Sequence, residues 1–470
     1  MSNDEICFLP ALTLASEIRN KRLSALEVVR AFLDRITRVN PALNAYVTVC
    51  ESQALKDAAL ADKKLTEREQ PGPLHGVPFS VKDLVFTAGV RTTLGSRIYE
   101  NFIPKEDALA VSRLRAAGAI LMGKTNTPEF GYKATTENLL FGSTHNPWNT
   151  QYTPGGSSGG AAAATAAGLS PLSVSTDGGG SIRIPASFCG VFGLKPTFGR
   201  VPALPGSGGW RTLSHTGPTT RTVADAALML DVMAGPDELD RNSLPATASA
   251  LSGLAIPRRG LRLGYSANLG FAVVDPEIPP IMQKTFPLLE GLGHTVEMVD
   301  LDLKGAKEIF EILVLAENAS AHRAELEQKR DLMDKALAKF IELGFAISAA
   351  DYIGANCRRD QLAARLADFF SRHDLLLTPT VAVPPFPIGE VPKEIAGVPI
   401  EPTGWIPFTY PFNLTGNPAA NLPCGMSSKG LPVGLQVVGP RHADALVLNL
   451  CAQFETAQPW PRPPELTNDD

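Results

Sequence analysis

Two glycine-rich segments that carry serines, together with one upstream lysine, are the residues of this chain whose types and spacing could do chemistry. The first segment is 154–160 (PGGSSGG) and the second is 176–186 (TDGGGSIRIPA). The lysine, Lys82, ends the apolar stretch 77–81 (VPFSV). A serine hydroxyl becomes a nucleophile when a neighbouring base takes its proton. Glycines ahead of a serine let successive N–H groups point into one concavity. The set therefore predicts a nucleophilic serine beside an oxyanion hole.

Other interpretations of the glycine-rich segments fit less well. A flexible linker does not lie between apolar runs such as 161–164 (AAAA) and 172–174 (LSV). A phosphate-binding loop needs a lysine after its glycines, and neither segment has one there. A dinucleotide fingerprint needs G-x-G-x-x-G between a strand and a helix, and neither segment has this pattern. The serine-hydrolase pattern G-x-S-x-G can be placed on 155–159 or 156–160, but no histidine and aspartate partners accompany it.

Lys82 can act as a base only when it is neutral, which requires burial or nearby positive charge. The apolar stretch before it is typical of a strand that enters a core. The alternative is a surface lysine paired with Asp83, and the sequence leaves this alternative open.

These spaced motifs resemble those of the amidase signature family, and the resemblance runs from about Thr13 to about Glu455. It implies a Ser–cis-Ser–Lys triad with Ser181 as nucleophile, Ser157 as bridging serine after a cis peptide bond, and Lys82 as base. The N–H groups of the turn that ends at Ser181 correspond to the oxyanion hole. The implied oxyanion-hole glycines are Gly178, Gly179 and Gly180, and the implied supporting residues are Ser158, Thr176, Asp177 and Arg183.

The same resemblance implies a substrate pocket. Gly131 and Tyr132 match the family's pocket wall, and Ile184, Trp210, Trp405 and Phe408 lie where the family builds its acyl and amine pockets. Any one of these aromatic residues could instead belong to the core. Together they predict a moderately apolar site for an aryl or alkyl amide, or for a carbamate.

Two rival functions remain. The first is that of the glutaminase component of a tRNA-dependent amidotransferase, its A subunit, which releases ammonia from glutamine. Ile184 stands where that subgroup usually has glutamine, and His215 stands where an aspartate would help to hold the amine, so a stand-alone amidase is favoured. The second is a non-catalytic member that binds an amide, but Lys82, Ser157 and Ser181 are all present.

Composition limits the remaining possibilities. The 470 residues are 44% hydrophobic and 19% charged, with a net charge of −5, so neither nucleic acid nor an anionic membrane is an expected partner. No apolar run reaches the roughly 20 residues that span a bilayer. The acidic start 1–5 (MSNDE) lacks the basic region of a signal peptide. We therefore expect a cytoplasmic enzyme.

The cysteines and histidines give no sign of a metal site. Six cysteines are scattered without C-x-x-C spacing, and seven histidines form no H-x-x-x-H unit. Cys189 follows the serine segment and is interpreted as packing. Asn318 and Asn413 match glycosylation acceptors, which the cytoplasmic interpretation makes coincidental. No cofactor is expected.

The elements that must position these residues alternate between helices and strands. A capping box at 24–27 (SALE) starts a helix that the sequence ends at Asn40-Pro41. A second helix is expected over about 51–65. Buried strands are predicted at 120–124 and 172–175, with helices over 108–117 and 160–168.

This alternation predicts an α/β fold, a single large domain over 1–470 whose mixed β-sheet core is flanked by helices on both faces. Residues 1–70 should form a helical segment that packs on the core. Residues from about 303 to 373 should form a helical cap or a homodimer surface. The segments 375–380, 411–419 and 430–436 return to the same domain.

Overall fold

A mixed sheet of 11 strands runs through the centre of the molecule. The computed structural model describes residues 1–67, 70–206 and 208–466. Its strands are β1 (Tyr46–Val49), β2 (Pro78–Lys82), β3 (Ile120–Thr125), β4 (Glu137–Asn138), β5 (Gly142–Ser143), β6 (Leu172–Asp177), β7 (Phe192–Lys195), β8 (His215–Thr220), β9 (Arg262–Tyr265), β10 (Thr295–Met298), β11 (Leu375–Pro379), β12 (Glu394–Ile395), β13 (Val398–Pro399), β14 (Ala419–Met426) and β15 (Pro432–Val438). The order across the sheet is β1-β3-β2-β6-β8-β7-β14-β15-β11-β9-β10, and β4/β5 and β12/β13 form two small separate pairs.

Helices surround this sheet. They are α1 (Asn3–Cys7), α2 (Ala11–Arg19), α3 (Ala25–Leu43), α4 (Glu51–Thr66), α5 (Leu109–Ala116), α6 (Gly159–Ala166), α7 (Arg183–Cys189), α8 (Val223–Met233), α9 (Ala250–Gly253), α10 (Ile278–Gln283), α11 (Phe286–Gly291), α12 (Ala306–Ala321), α13 (Arg323–Lys329), α14 (Lys335–Gly344), α15 (Ala349–Phe370), α16 (Tyr410–Leu414) and α17 (Asp444–Ala457). Among the described residues, none of these helices has both the length and the apolar character needed to cross a membrane.

The core has two main parts, one on each face of the sheet. Side chains of a strand alternate between the faces, and along β11 Leu375 and Leu377 belong to one apolar cluster while Leu376 belongs to the other. The first cluster includes helices α2, α3, α8 and α17, and the second includes α12, α15 and α16. The predicted α/β fold with a mixed sheet flanked by helices is confirmed.

Three parallel strands of the sheet bring the predicted base, Lys82, next to the segment that carries Ser181. β2 pairs with both β3 and β6, with Val81 opposite Val174. Because the carboxyl ends of parallel strands meet at one edge, Lys82 at the end of β2 lies beside Thr176 and Asp177 at the end of β6. Both strands are buried almost throughout, as their apolar sequences predicted.

Residues 1–67 are mostly helical, but the segment also contains β1, which joins the edge of the sheet, and one of its helices ends later than predicted. The capping box predicted at Ser24 and Glu27 begins α3. The helix, however, continues through Pro41 to Leu43 instead of ending at Asn40-Pro41. Pro41 lies in the last turn, where its missing N–H costs one helical hydrogen bond and no further turn of helix follows it. Asn44, with a left-handed φ of 49°, ends the helix.

Residues 303–373 contain the helices α12 to α15. Helices α12 and α15 pack against the sheet through the second cluster, whose members include Phe310, Leu313 and Leu366. A smaller third cluster joins α14 to Phe130. The segment therefore packs next to the loops that follow β3, β6 and β7.

Candidate active site

Lys82 is completely buried at the end of β2. Its Nζ donates to Ser157 Oγ at 2.7 Å and to Thr176 Oγ1 at 3.0 Å. Burial lowers the pKa of Lys82 to about 7, against a smaller opposing effect of the Asp177 carboxylate. The alternative of a surface lysine paired with Asp83 is wrong, and a substantial neutral fraction of Lys82 exists near neutral pH.

The first glycine-rich segment is fixed by hydrogen bonds on both sides. The Gly156–Ser157 peptide bond is cis, as expected. Thr136 Oγ1 donates to the Gly155 carbonyl at 2.8 Å and accepts from the Gly159 N–H at 3.0 Å. The N–H of Ser158 donates to the Ser181 carbonyl at 3.1 Å, so the two serine-bearing segments are held directly against each other.

Ser158 and Thr176 connect the serine segment to the sheet. Ser158 Oγ donates to the Thr176 carbonyl at 3.1 Å, while the Thr176 hydroxyl accepts from Lys82. Both residues therefore hold Lys82 and the serine segment in a fixed relative position.

Ser181 lies in the turn between β6 and α7 and is half-buried. Together with Ser157, it lines an open cavity. Its Oγ makes no hydrogen bond to the residues that the structure describes, whereas Ser157 Oγ is bonded to Lys82. The structure thus joins the lysine to the bridging serine and leaves the Ser181 hydroxyl unengaged by any described residue.

A buried ion pair holds the turn that carries Ser181. Arg183 and Asp177 are both fully buried, with Nη2–Oδ1 and Nε–Oδ2 distances of 2.9 and 3.0 Å. Burial by itself would raise the pKa of the Asp177 carboxyl, but Arg183 and its hydrogen bonds hold that pKa well below its usual range. Asn413 donates to Asp177 Oδ1 at 2.8 Å and Gln436 accepts from Arg183 at 2.8 Å, so neither charge is left unsatisfied.

The structure differs from the predicted oxyanion hole at Gly180, whose N–H is taken up by the Asp177 carboxylate. The Gly180 N–H donates to Asp177 Oδ1 at 2.7 Å, and the Ile182 N–H donates to Oδ2 at 3.1 Å. Gly180 is therefore not a free donor. The N–H groups of Gly178, Gly179 and Ser181 have no acceptor among the described residues, and these three remain available to an anion.

Gly178 and Gly131 are glycines because other groups approach them closely. A Cβ built on Gly178 would lie 2.7 Å from the Trp210 ring. Gly131 has a φ of 71°, and its Cβ would lie 2.7 Å from Leu84 and 3.3 Å from Ser157 Oγ. A larger residue at either position would displace the wall of the cavity.

The cavity in front of Ser181 has a volume of about 360 Å³. Gly131 and Trp210, two of the predicted pocket residues, line it. The sequence reasoning missed most of the remaining wall, which comes from segments far apart in the chain: Leu84, Val85, Ala108, Ala110, Phe130, 198–199, 201–206, 208–209, Arg211, Ser214, Thr216 and 238–242. No motif marks these residues, because they meet only through the tertiary fold.

Four predicted pocket residues do not line this cavity. Ile184, Trp405 and Phe408 are buried in the core behind it, and Trp405 stacks on Phe188 with ring centroids 5.8 Å apart. Tyr132 turns away, and its hydroxyl donates to Asp334 Oδ1 at 3.0 Å. Large apolar side chains near a site are often its support, which is the case for these residues.

His215 also points away from the cavity. Ser214 and Thr216 line it, whereas the His215 ring packs against Phe198 and its Nδ1 lies 2.7 Å from the Leu213 carbonyl. The sequence analysis compared His215 with an aspartate that would help to hold a substrate amine, but this side chain does not line the cavity, because it lies on the other face of β8.

Cys189 is completely buried, and burial raises the pKa of its thiol well above the usual value. This agrees with the predicted packing role. Within the described residues, no three His, Cys, Asp or Glu side chains gather in an arrangement that could hold a metal ion.

Comparisons with known proteins agree on one family. The family model described as Amidase matches residues 27–448. An acylamidase of Rhodococcus erythropolis is 38% identical over 466 residues, which cover 98% of this chain and 98% of that protein. The A subunit of the glutamyl-tRNA(Gln) amidotransferase of Geotalea daltonii is 37% identical over 476 residues, which cover 95% of this chain and 96% of that protein. The crystal structure of a bacterial aryl acylamidase from the amidase signature family matches with a TM-score of 0.91 at 33% identity, over 96% of this chain and 97% of that chain.

Proposed function

This chain belongs to the amidase signature family and is an amidohydrolase, and from that premise we propose that it hydrolyses apolar aryl or alkyl amides through an acyl-enzyme on Ser181. Carbamates with the same apolar groups belong to the proposed substrate class. The observation that carries the proposal is the 2.7 Å contact between a buried lysine of lowered pKa and Ser157, in the wall of the cavity that Ser181 also lines.

In the proposed first step, neutral Lys82 accepts the proton of Ser157, and Ser157 accepts the proton of Ser181 as Ser181 Oγ attacks the scissile carbonyl. Ser181 Oγ must turn towards Ser157 when substrate binds, since it makes no hydrogen bond to a described residue. Geometry that tightens only with bound substrate is common at catalytic sites.

The N–H groups of Gly178, Gly179 and Ser181 are the proposed donors to the tetrahedral oxyanion. Removing one donor of this kind costs about 3–4 kcal/mol of transition-state stabilisation in other hydrolases. The Asp177–Arg183 pair acts on this step indirectly, because it fixes the turn through the N–H groups of Gly180 and Ile182.

The relay then runs in reverse. Ser157 gives a proton to the amine nitrogen and regains one from protonated Lys82, and the C–N bond breaks. The amine departs, and the acyl group stays on Ser181 as an ester. Water attacks this ester while Ser157 and Lys82 accept its proton, and the acid leaves with Ser181 restored. The proton balance closes over the cycle with these residues and water.

The cavity wall supports the apolar substrate class. Leu84, Val85, Phe130, Val201 and Trp210 offer aromatic and aliphatic surface next to Ser157 and Ser181. Such surface contributes about 25 cal/mol for each Å² of apolar substrate that it removes from water.

Two measurements on the purified chain test this function. The first is release of aniline from a hydrophobic anilide, with Ser181→Ala as the matched control. The second is mass spectrometry after brief exposure to a fluorophosphonate, which should place the adduct on Ser181. An adduct on Ser157, Ser158 or Cys189, or full activity in Ser181→Ala, would contradict the mechanism.

The glutaminase activity of a tRNA-dependent amidotransferase is the second candidate. Its support is the 37% identical relative and the presence of Arg211 and Glu238 in the cavity wall, which could face the charges of a free amino acid. Comparing kcat/KM for glutamine with kcat/KM for the anilide separates the two. Higher activity on glutamine would favour the glutaminase, and so would co-purification with further proteins of such a complex.

A further inference from the structure

Helix α12 runs beside the loop that carries Trp210, called here the Trp210 loop (residues 208–214). Two consecutive polar residues of the helix, Glu317 and Asn318, bond to this loop. Helix α12 belongs to the 303–373 segment, which has no residue in the triad or in the oxyanion turn. Its two polar contacts reach the site through the loop, while Phe310 of the same helix packs against Gly179 of the oxyanion turn and against the Trp210 ring.

Glu317 holds the C-terminal half of the loop. Its carboxylate accepts from the Thr212 N–H at 3.2 Å and from Thr212 Oγ1 at 2.5 Å. The Tyr352 hydroxyl of α15 donates to the same carboxylate at 3.2 Å. A carboxylate that accepts from backbone and hydroxyl together fixes both the position and the orientation of the residue that donates.

Asn318 holds the N-terminal half of the loop. It is completely buried, and its Nδ2 donates to the Gly209 carbonyl at 2.8 Å and to the Val314 carbonyl at 2.8 Å. A Cβ on Gly209 would lie 2.9 Å from Asn318 Oδ1, so the loop passes directly over the amide. Because Asn318 is buried, it cannot serve as the glycosylation acceptor that its sequence matches.

Trp210 lies between these two anchors. Its ring packs over Gly178 of the oxyanion turn, and its Nε1 donates to the Phe130 carbonyl at 3.3 Å. Phe130 and Trp210 both line the cavity. A shift of the loop would therefore move the aromatic wall before it moved Lys82, Ser157 or Ser181.

We propose that Glu317 and Asn318 are positioning residues that anchor the Trp210 loop on both sides of Trp210, so that helix α12 sets the preference of the site for aromatic over small substrates. This inference rests on the proposed function and deepens it, because it assigns selectivity to a segment outside the triad. The triad and the turn that carries Ser181 have hydrogen bonds of their own that do not involve the two anchors.

The experiment compares the rates at which two fluorophosphonates label Ser181, one with a small alkyl group and one with a phenylalkyl group. Glu317→Ala should lower the ratio of phenylalkyl to alkyl labelling about tenfold, as expected when an aromatic wall loses its position. The rate with the small alkyl probe should stay within about twofold of the wild-type rate. With the anilide, KM should rise more than kcat falls, since the lost interaction binds the ground state and the transition state alike.

Matched variants separate positioning from general damage. Glu311→Ala removes a carboxylate of the same helix that pairs with Lys307 and does not touch the loop, and it should label like the wild type. Glu317→Gln keeps an acceptor for Thr212 and should restore most of the selectivity. Thr212→Val removes the hydroxyl donor from the other side and should give a smaller change in the same direction.

The outcomes are distinguishable. A wild type that reacts with neither probe contradicts the proposed function, and the positioning role falls with it. If the wild type reacts and the ratio is unchanged in Glu317→Ala, the positioning role alone is overturned. An equal loss with both probes also overturns it, because the carboxylate would then support the fold in general.

Discussion

Lys82 and Lys124 lie on the neighbouring strands β2 and β3, and both are completely buried. Burial lowers the pKa of Lys82 to about 7 and that of Lys124 to about 8. Their surroundings differ. Lys82 donates to the hydroxyls of Ser157 and Thr176, whereas Lys124 donates to the Val85 carbonyl and to the Thr87 hydroxyl.

Because both lysines have a lowered pKa, the pKa alone does not explain why Lys82 is the proposed base. A carbonyl only accepts hydrogen bonds, and the Thr87 hydroxyl already donates to the Val85 carbonyl at 3.1 Å. Ser157, in contrast, lines the cavity, and its hydroxyl can give its proton to neutral Lys82. We therefore expect a buried lysine to act as a base only where its partner can pass on a proton and also lines the cavity.

The largest expected effect comes from the ends of the proposed relay. Lys82→Ala and Ser181→Ala should each lower kcat for the anilide by about 10⁴-fold or more, with little further loss in the double variant, because nucleophile and base act as a unit. Circular dichroism should show that the variants are folded. If the losses of kcat in the two single variants multiplied in the double variant, Lys82 and Ser181 would act independently. That result would contradict the relay.

The bridging serine should matter less than either end. Ser157→Ala should lower kcat by about 10³-fold, because a water molecule in the vacated space can connect Lys82 to Ser181. Steady-state kinetics on the same anilide measure this. A loss as large as that of Lys82→Ala would show that no water replaces the hydroxyl.

The pH dependence of kcat/KM should follow the protonation of Lys82. Protonated Lys82 cannot accept a proton, so kcat/KM should fall about tenfold per unit as the pH drops below the pKa of about 7, and it should level off above that value. A pH–rate profile of the wild type measures this. The midpoint of the profile should be the same in Lys124→Met. A shifted midpoint in this variant would show that the profile reports Lys124 instead of Lys82.

The smallest effect on activity is expected at Lys124. Lys124→Met should keep kcat within about threefold of the wild type, because Lys124 does not contact Ser157 and does not itself line the cavity. Stability should respond instead. The unfolded lysine titrates near 10.5 and the folded one near 8, so the unfolded chain binds more protons between these values. The free energy of unfolding of the wild type should therefore rise from about pH 8 to about pH 10 relative to Lys124→Met.

Urea unfolding of both proteins at about pH 8 and about pH 10 measures this difference. Lys82 is present in both proteins, so its own titration cancels in the comparison. A gap in unfolding free energy that stays constant with pH would contradict the lowered pKa of Lys124. A large loss of activity in Lys124→Met would contradict the contrast between the two lysines.

Part of the fold and of the candidate site could be read from the sequence because the signals are local. Apolar runs predicted β3 and β6, and the capping box at Ser24 and Glu27 predicted the start of α3. The serine motifs identified Ser157 and Ser181, and the resemblance they carry placed Lys82 beside them. The pocket was predicted less well: Gly131 and Trp210 line it, whereas Trp405 and Phe408 do not.

The sequence by itself determined which groups could do the chemistry, since residue types and their spacing along the chain are sufficient for that. The tertiary structure decided the state of these groups. The pKa of Lys82 depends on burial beneath strands that are distant in sequence, and the loss of Gly180 as a donor depends on the direction of the Asp177 carboxylate. The cavity wall and its anchors on α12 come from segments far apart in the chain, as in the contact between Thr212 and Glu317, which are 105 residues apart. Such contacts leave no periodic trace in the chain, because they form only when the packed elements meet.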